Sequence, residues 1–405
     1  MEENESRLLL DLPEEMLRRV LAALDGPSLV QAERSCATLR AASGDSLWRD
    51  LVQQRWSWLI PGSSSCASGT ASSLLFGRLH TRKSARFAVL GDVLDEALGD
   101  VTQVRVYSIA QGTWNALRSD GVDGEQGSSC GCMPALVRDA AGGLVKMGGF
   151  GFMDACATSR VDRYDPAANV WAALPHLSRP RCCAGGVCDA RGALYCVGGG
   201  ESMFAQSRAF SSAEFLPLSA PPDSRTPDQC SFASSWLEAP SMTEPRCAAG
   251  VAIALPANII VSCGGYGGNA CYLRTAEQLS LDSAEPRWIP LPSMHEHRAG
   301  CMASYGPDGR FYVLGGGPDG RSEHASMEAL DLRVAQWDGA LPPAQVGRHY
   351  NAAAWGPDER LYVSGAYRHT GQLDVVECYD LRAGKWEALE RIGLVLNFSA
   401  GAFLL

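Results

Sequence analysis

Hydrophobic and polar positions follow two different patterns along this chain. Over residues 11–24 apolar side chains recur every three or four positions, as they do on one face of an amphipathic helix. Asp11 fits an N-cap, Pro13 fits the first helical turn, and Gly26-Pro27 is a stop signal. From residue 85 onward, short β-branched and aromatic runs punctuated by glycine predict β-strands instead. The sequence therefore predicts a small helical module ahead of a longer β domain.

The β domain is a series of six repeated units. Each unit has a strand-like run that ends in a glycine pair or its remnant: "FAVLGD", "LVKMGG", "LYCVGG", "IIVSCGG", "FYVLGG" and "LYVSGA". A tryptophan follows the second glycine position after 21 to 23 residues in five units. The third unit is longer because a Pro/Ser-rich loop over 217–235 interrupts it. A gly-rich composition alone does not account for these matched spacings. A period near 50 residues with four strand signals per unit is typical of a β-propeller, rather than a sandwich or a helical solenoid.

The two ends of the repeat region predict how the ring closes. Small residues mark the first strand of most units, and residues 399–402 repeat that pattern with no unit left to follow. The first unit lacks such a strand. We therefore expect the C-terminal strand to complete the first blade and remove an exposed edge.

Residues 85–405, with their glycine pair, spaced aromatic residue and tryptophan, resemble the kelch-repeat family. The resemblance implies a mainly β fold class, a six-bladed kelch-type β-propeller preceded by a small all-α module.

The helical module also has a family resemblance. Leu12-Pro13-Glu14-Glu15, the Leu/Val spacing after it and the closing Leu47-Trp48 resemble the F-box, with a departure at Ala41-Ala42. The resemblance implies docking on a Skp-type adaptor, and through it on a cullin-RING ubiquitin ligase. The residues expected at that contact are Leu12, Pro13, Met16, Leu17, Val20, Leu21, Leu24, Leu47 and Trp48. The alternative is an ordinary helical cap on the propeller.

These patterns divide the chain into three parts. We expect an F-box module over 7–58, a Ser/Gly-rich linker over 59–84 and the propeller over 85–405, closed by the C-terminal strand. An F-box followed by a kelch propeller implies the substrate-recognition subunit of an SCF-type (Skp-cullin-F-box) ubiquitin ligase. A kelch scaffold and a metal-dependent kelch enzyme are the alternatives.

Charge and cysteine content narrow the partners and the compartment. The 405 residues carry a net charge of −10, which argues against a nucleic-acid partner, and apolar runs are too short to span a membrane. Fifteen cysteines in a chain of this length favour free thiols in a reduced compartment. We expect a cytoplasmic and/or nuclear protein whose target is another protein.

Candidate catalytic groups are few. His295 and His297 lack a third metal ligand, and the cysteines of "CGC" (130–132) and "RCC" (181–183) fall where small buried residues are needed. Core packing is favoured for these thiols, with zinc or redox chemistry as the alternative. The sequence thus predicts a non-catalytic receptor subunit with no metal and no cofactor.

A recurring arginine predicts the substrate surface. It precedes the small residues of four first strands as Arg181, Arg246, Arg298 and Arg348, and Asn397 takes its place in the last copy. If the units are blades, these side chains form a partial ring around one channel mouth. The loops after the glycine pairs would add Phe152, Phe204, Tyr266, Arg321 and Tyr367, a set suited to an acidic or polar peptide. The alternative is that each arginine pairs with a backbone carbonyl or a neighbouring blade's acid and holds the ring together.

Overall fold

The computed structural model describes residues 86–95, 99–108, 113–117, 133–150, 156–165, 170–202, 208–218, 232–269, 271–319, 322–356, 358–364, 375–389 and 398–404. The chain divides into two units, Met1–Ala85 and Arg86–Leu405. The first unit, with the predicted F-box module and linker, lies outside the described residues. Among the described residues, no helix is long and apolar enough to cross a membrane.

Six four-stranded antiparallel sheets make up the second unit, and each is one blade. The first blade contains β1 Arg86–Asp95, β2 Gly99–Ser108, β3 Thr113–Leu117 and β24 Phe398–Leu404. The second contains β4 Ala135–Arg138, β5 Leu144–Met147, β6 Val161–Asp165 and β7 Val170–Leu174. The third contains β8 Gly185–Cys188, β9 Leu194–Val197, β10 Ala213–Leu216 and β11 Leu237–Ala239.

The remaining three blades repeat the same order. The fourth contains β12 Gly250–Ala254, β13 Ile259–Cys263, β14 Ala276–Ser280 and β15 Trp288–Leu291, with a single 3-10 turn, Leu255–Ala257, between β12 and β13. The fifth contains β16 Ala299–Tyr305, β17 Phe311–Gly317, β18 Met327–Asp331 and β19 Gln336–Asp338. The sixth contains β20 Ala352–Trp355, β21 Arg360–Ser364, β22 Glu377–Asp380 and β23 Lys385–Ala388. Side chains are described for the second to sixth blades.

The first strands of the blades form a closed ring. β4, β8, β12, β16, β20 and β24 each lie beside the next, and β24 lies beside β4. The predicted mainly β propeller is confirmed. The ring has no gap because β24 also pairs antiparallel with β1, with Phe87 opposite Leu404.

Four of the repeat tryptophans pack between neighbouring blades. Trp288 is 5 % exposed, lies in one apolar cluster with Val187 and Tyr195 of the preceding blade, and donates its indole N–H to the Pro240 carbonyl at 2.9 Å. Trp236, Trp337 and Trp386 make the same bond to a proline carbonyl at 2.7 to 2.9 Å. In the second to sixth blades, whose side chains are described, apolar residues of neighbouring blades thus form shared clusters.

Deleting residues 396–405 is expected to lower the melting temperature by several degrees and to promote aggregation, because β1 would lose its inner partner and expose a free edge. Thermal unfolding with light scattering measures both effects. A truncated chain that melts and scatters like the full-length chain would contradict the role given to β24.

Candidate functional site

The recurring arginines lie at the junctions between blades. The backbone of Arg246 belongs to the third blade: its N–H donates to the Phe210 carbonyl at 3.0 Å, and its carbonyl accepts from the Gly199 N–H at 2.8 Å. Gly199 is the second residue of that blade's glycine pair. The repeat thus fixes the arginine main chain to the blade that it leaves.

The side chain of Arg246 reaches into the fourth blade. Its Nη1 donates to the carbonyls of Gly264 and Thr275 at 2.8 and 2.9 Å, and its Nε donates to the Glu277 carboxylate at 2.9 Å. Gly264 is the first residue of the next glycine pair. One arginine therefore ties together two blades through main chain on one side and side chain on the other.

The other three arginines repeat this arrangement. The ion pairs are Arg181–Glu214 at 2.8 Å, Arg298–Glu328 at 3.0 Å and Arg348–Glu377 at 2.5 Å. All four arginine side chains are 0 to 2 % exposed. The prediction that they form a ring open to substrate is therefore wrong, because a ligand cannot reach guanidiniums that carbonyls and glutamates already cover. Their contacts are those of the structural alternative.

The surroundings of the junction glutamate Glu328 favour its charged form. Burial alone would raise the pKa of Glu328, but hydrogen bonds from the His295 N–H and ring, together with the charge of Arg298, lower that pKa below its usual value. The His295 Nδ1 lies 2.8 Å from this carboxylate. This half of the His295/His297 pair thus contacts the Arg298–Glu328 bridge.

The glycine pairs are required by the same junctions. Gly264 has a φ of +64°, and a Cβ built on it would lie within 3.0 Å of the Arg298 carbonyl oxygen. The first glycine of the pair has the same conflict with the arginine carbonyl in the other junctions: Gly148, Gly198 and Gly315. The sequence motif therefore records a close backbone approach.

Backbone hydrogen bonds link the blades near the central axis. Two residues after each arginine the chain has a positive φ, and each such N–H donates to the corresponding carbonyl of the preceding blade at 2.7 to 2.8 Å. The donors in this series are Cys183, Ala248, Gly300 and Tyr350, and the Cys183 N–H donates to the carbonyl of Met133 in the second blade. Direct bonds between consecutive blades bring their inner ends together at this level.

The second blade has a different ion pair at the position of the junction glutamates. Asp162 of β6 is 4 % exposed and takes the place of the glutamates, and Arg160 pairs with it at 2.6 Å. The cation comes from the same blade here, since the recurring arginine is absent from the sequence before β4. Sequence reasoning missed this exchange.

Among the other predicted ligand residues, the structure describes only Tyr266. It is 7 % exposed, its backbone pairs with Cys247, and its ring packs against Tyr272 at 5.5 Å. It is thus a core residue rather than an open anchor. Phe152, Phe204, Arg321, Tyr367 and Asn397 lie outside the described residues. So does the whole predicted adaptor-binding set: Leu12, Pro13, Met16, Leu17, Val20, Leu21, Leu24, Leu47 and Trp48.

The "RCC" thiols are buried near the axis. The Cys183 Sγ lies 3.3 Å from the Met133 Sδ, and hydrogen bonds with Cys182 and Cys247, together with burial, raise the pKa of Cys183. A thiol with a raised pKa is a poor nucleophile. In the part of the chain that the structure describes, no three His, Cys, Asp or Glu side chains are placed to hold a metal ion. The "CGC" segment lies outside that part.

Comparison with known proteins supports the two parts of the chain separately. Residues 9–54 match the model of the F-box-like family. The solved structure of YjhT is 13 % identical, with a TM-score of 0.55 over 71 % of this chain and 91 % of that protein. At this identity the likeness shows the propeller fold alone. The predicted F-box in front of a propeller is confirmed, whereas the kelch assignment of the repeats stays a prediction.

The exclusion of enzyme activity needs correction. A fungal alcohol oxidase of the AA5 family, in complex with copper, is among the similar structures, at 15 % identity and a TM-score of 0.47, over 69 % of this chain and 67 % of that protein. The prediction that this chain is a non-catalytic subunit is therefore wrong, since an enzyme is among the similar structures. This weak likeness assigns no reaction to the present chain.

Proposed function

We propose that this chain is the substrate-recognition subunit of an SCF-type ubiquitin ligase. The observation that carries the proposal is the match of residues 9–54 to the F-box-like family on the same chain as a propeller. F-box domains generally bind Skp-type adaptors, so these residues would dock on the adaptor and through it on a cullin. The propeller would then hold the target protein.

One face of the propeller suits target binding. The connections that enter each first strand and the loops after the second strands emerge at the same face, because successive strands run antiparallel. These are the longer connections of the repeat, and loops on a rigid scaffold are the usual place for binding residues. We assign the target to this kelch-type face, in the cytoplasm and/or the nucleus.

Replacing Leu12 and Pro13 with alanine is expected to reduce capture of a Skp-type adaptor by more than tenfold. Truncating one buried interface residue costs about 2 kcal/mol, and about 1.4 kcal/mol is a factor of ten in affinity. Pull-down of the adaptor by full-length chain measures the effect.

The propeller offers a matched control, since it carries further Leu-Pro pairs and one of them has an exposed leucine. Leu255, which is 50 % exposed, precedes Pro256, and the double change Leu255→Ala with Pro256→Ala should leave capture unchanged. Unchanged capture by the Leu12/Pro13 variant would reject the adaptor contact and favour a scaffold unconnected to ubiquitin.

A further inference from the structure

A cleft opens on the proposed target face between the third and fourth blades. Its volume is about 500 Å³. The segments that lead into β8 and β10 form one wall, and the loop after β13 forms another. Its polar lining comes from Arg179, Arg208, Ser211, Ser212 and Asn269.

The charge of this cleft is opposite to that of the whole protein. Two arginines line it, and none of the described lining residues is acidic, although the chain carries a net charge of −10. Such a local positive field attracts anionic groups.

Both guanidiniums are accessible to a ligand. Arg179 has one acidic neighbour, Glu201 at 3.8 Å, and the two side chains are 44 % and 52 % exposed. A pair this long and this exposed is weak and easily exchanged. Arg208 is exposed, and its guanidinium makes no ion pair with any residue that the structure describes. These arginines differ from the junction arginines, whose charges are already neutralised.

An aromatic side chain positions one of the two arginines. The Arg179 guanidinium lies 4.2 Å from the centre of the Phe210 ring, and Arg181 approaches the same ring at 5.6 Å. Phe210 is 3 % exposed, so the ring is fixed by the core. Stacking on a fixed ring holds Arg179 in place while its donor edges stay open to a ligand.

We propose that this cleft binds an acidic peptide segment through its anionic oxygens, with Arg179 and Arg208 as the charge partners. The inference rests on the proposed function, because it names the chemical class of the target at the target face. Guanidiniums bind carboxylate and phosphoryl oxygens alike, with two parallel N–H donors. Both sources are therefore compared in the test.

The test uses full-length chain and fluorescein-labelled octapeptides in fluorescence anisotropy. One probe carries four consecutive glutamates, the second has glutamines in their place, and the third carries one phosphoserine among the glutamines. We expect the glutamate or the phosphoserine probe to bind at least tenfold more tightly than the glutamine probe, and to weaken as salt rises. The stronger of the two anionic probes identifies the source of the anion.

Three variants make the assignment specific. Arg179→Gln with Arg208→Gln should weaken the anionic probe at least tenfold. Arg191→Gln should not, because Arg191 is a 72 % exposed arginine in the β8–β9 hairpin of the same blade, at the opposite face. Glu201→Gln should tighten binding a few fold, because it removes the carboxylate that competes for Arg179. Equal denaturation midpoints for all variants confirm that they are folded.

Two results would overturn the proposal: equal binding of all three probes, or equal weakening by Arg191→Gln and by the Arg179/Arg208 variant. Adaptor pull-down separates this outcome from failure of the ligase role. The Arg179/Arg208 variant should capture the adaptor normally, so loss of probe binding with adaptor capture retained concerns the cleft alone. Probe binding without adaptor capture would keep the cleft and reject the ligase role.

Discussion

Replacing Arg298 with methionine is expected to lower the free energy of unfolding by about 3–5 kcal/mol, the usual cost of removing one partner of a buried ion pair. The side chain is 0 % exposed and its partner Glu328 is 2 % exposed. Without the guanidinium, Glu328 keeps a buried charge, and the Gly315 and Ser326 carbonyls lose a donor each. Urea denaturation of the wild type and the variant measures the loss.

A second change shows whether the unpaired charge causes this loss. Adding Glu328→Gln to Arg298→Met should recover part of the stability, because the buried carboxylate is then neutral. Arg333→Met is the matched surface control, since that side chain is 76 % exposed and its replacement should leave the unfolding midpoint nearly unchanged. Equal midpoints for the Arg298 and Arg333 variants would show that the arginines do not hold the blades together.

Replacing Gly264 with alanine should destabilise the propeller by about 3 kcal/mol or more. The left-handed φ of +64° costs an L-residue about 1–2 kcal/mol, and the new Cβ would also displace the Arg298 carbonyl. That carbonyl accepts the Gly265 N–H at 2.7 Å, so the junction between the fourth and fifth blades would shift.

The same loop contains the matched control. Gly268 also has a positive φ, +91°, but a Cβ there meets no heavy atom within 4 Å. Gly268→Ala should thus cost only the backbone strain, about 1–2 kcal/mol. If the two variants have the same unfolding midpoint, the close approach at the glycine pair does not contribute to stability.

The fold followed from the sequence because its repeat records physical contacts. The glycine pair marks a backbone approach in every fully described junction, and the tryptophan marks apolar packing against the preceding blade. Both constraints act at fixed distances along the chain, which is why the spacing alone predicted strands, blades and architecture. The second blade is the exception. There Arg160 of the same blade pairs with the buried acid, whereas in the other junctions the arginine comes from the connection before the first strand.

The site was predicted less well, for a related reason. A residue that recurs in every repeat is most often one that the repeated fold requires. The four junction arginines form ion pairs with acids of the next blade: Glu214, Glu277, Glu328 and Glu377. The sequence placed these arginines at the start of the first strands correctly, but it did not show that their guanidiniums are paired with these glutamates. Arg179 and Arg208 have no counterparts at equivalent positions of the other repeats, so periodicity gave no signal for them.

The proposed adaptor contact is supported by the match of residues 9–54 to the F-box-like family and by the apolar pattern of those residues. Neither observation involves the propeller. Proximity labelling with the full-length chain would supply candidate target proteins. The Leu12/Pro13 variant should label the same targets, because the proposed target face lies within residues 86–405.

Ternary capture tests most directly whether one chain joins an adaptor to a target. Immobilised Skp-type adaptor is incubated with full-length chain and then with a target from the labelling experiment, and the retained target is measured. We expect retention with the wild-type chain and the Leu255/Pro256 variant, and loss of retention with the Leu12/Pro13 variant or without the chain. Retention that does not depend on the chain, or a chain that binds the target but never the adaptor, would contradict the account.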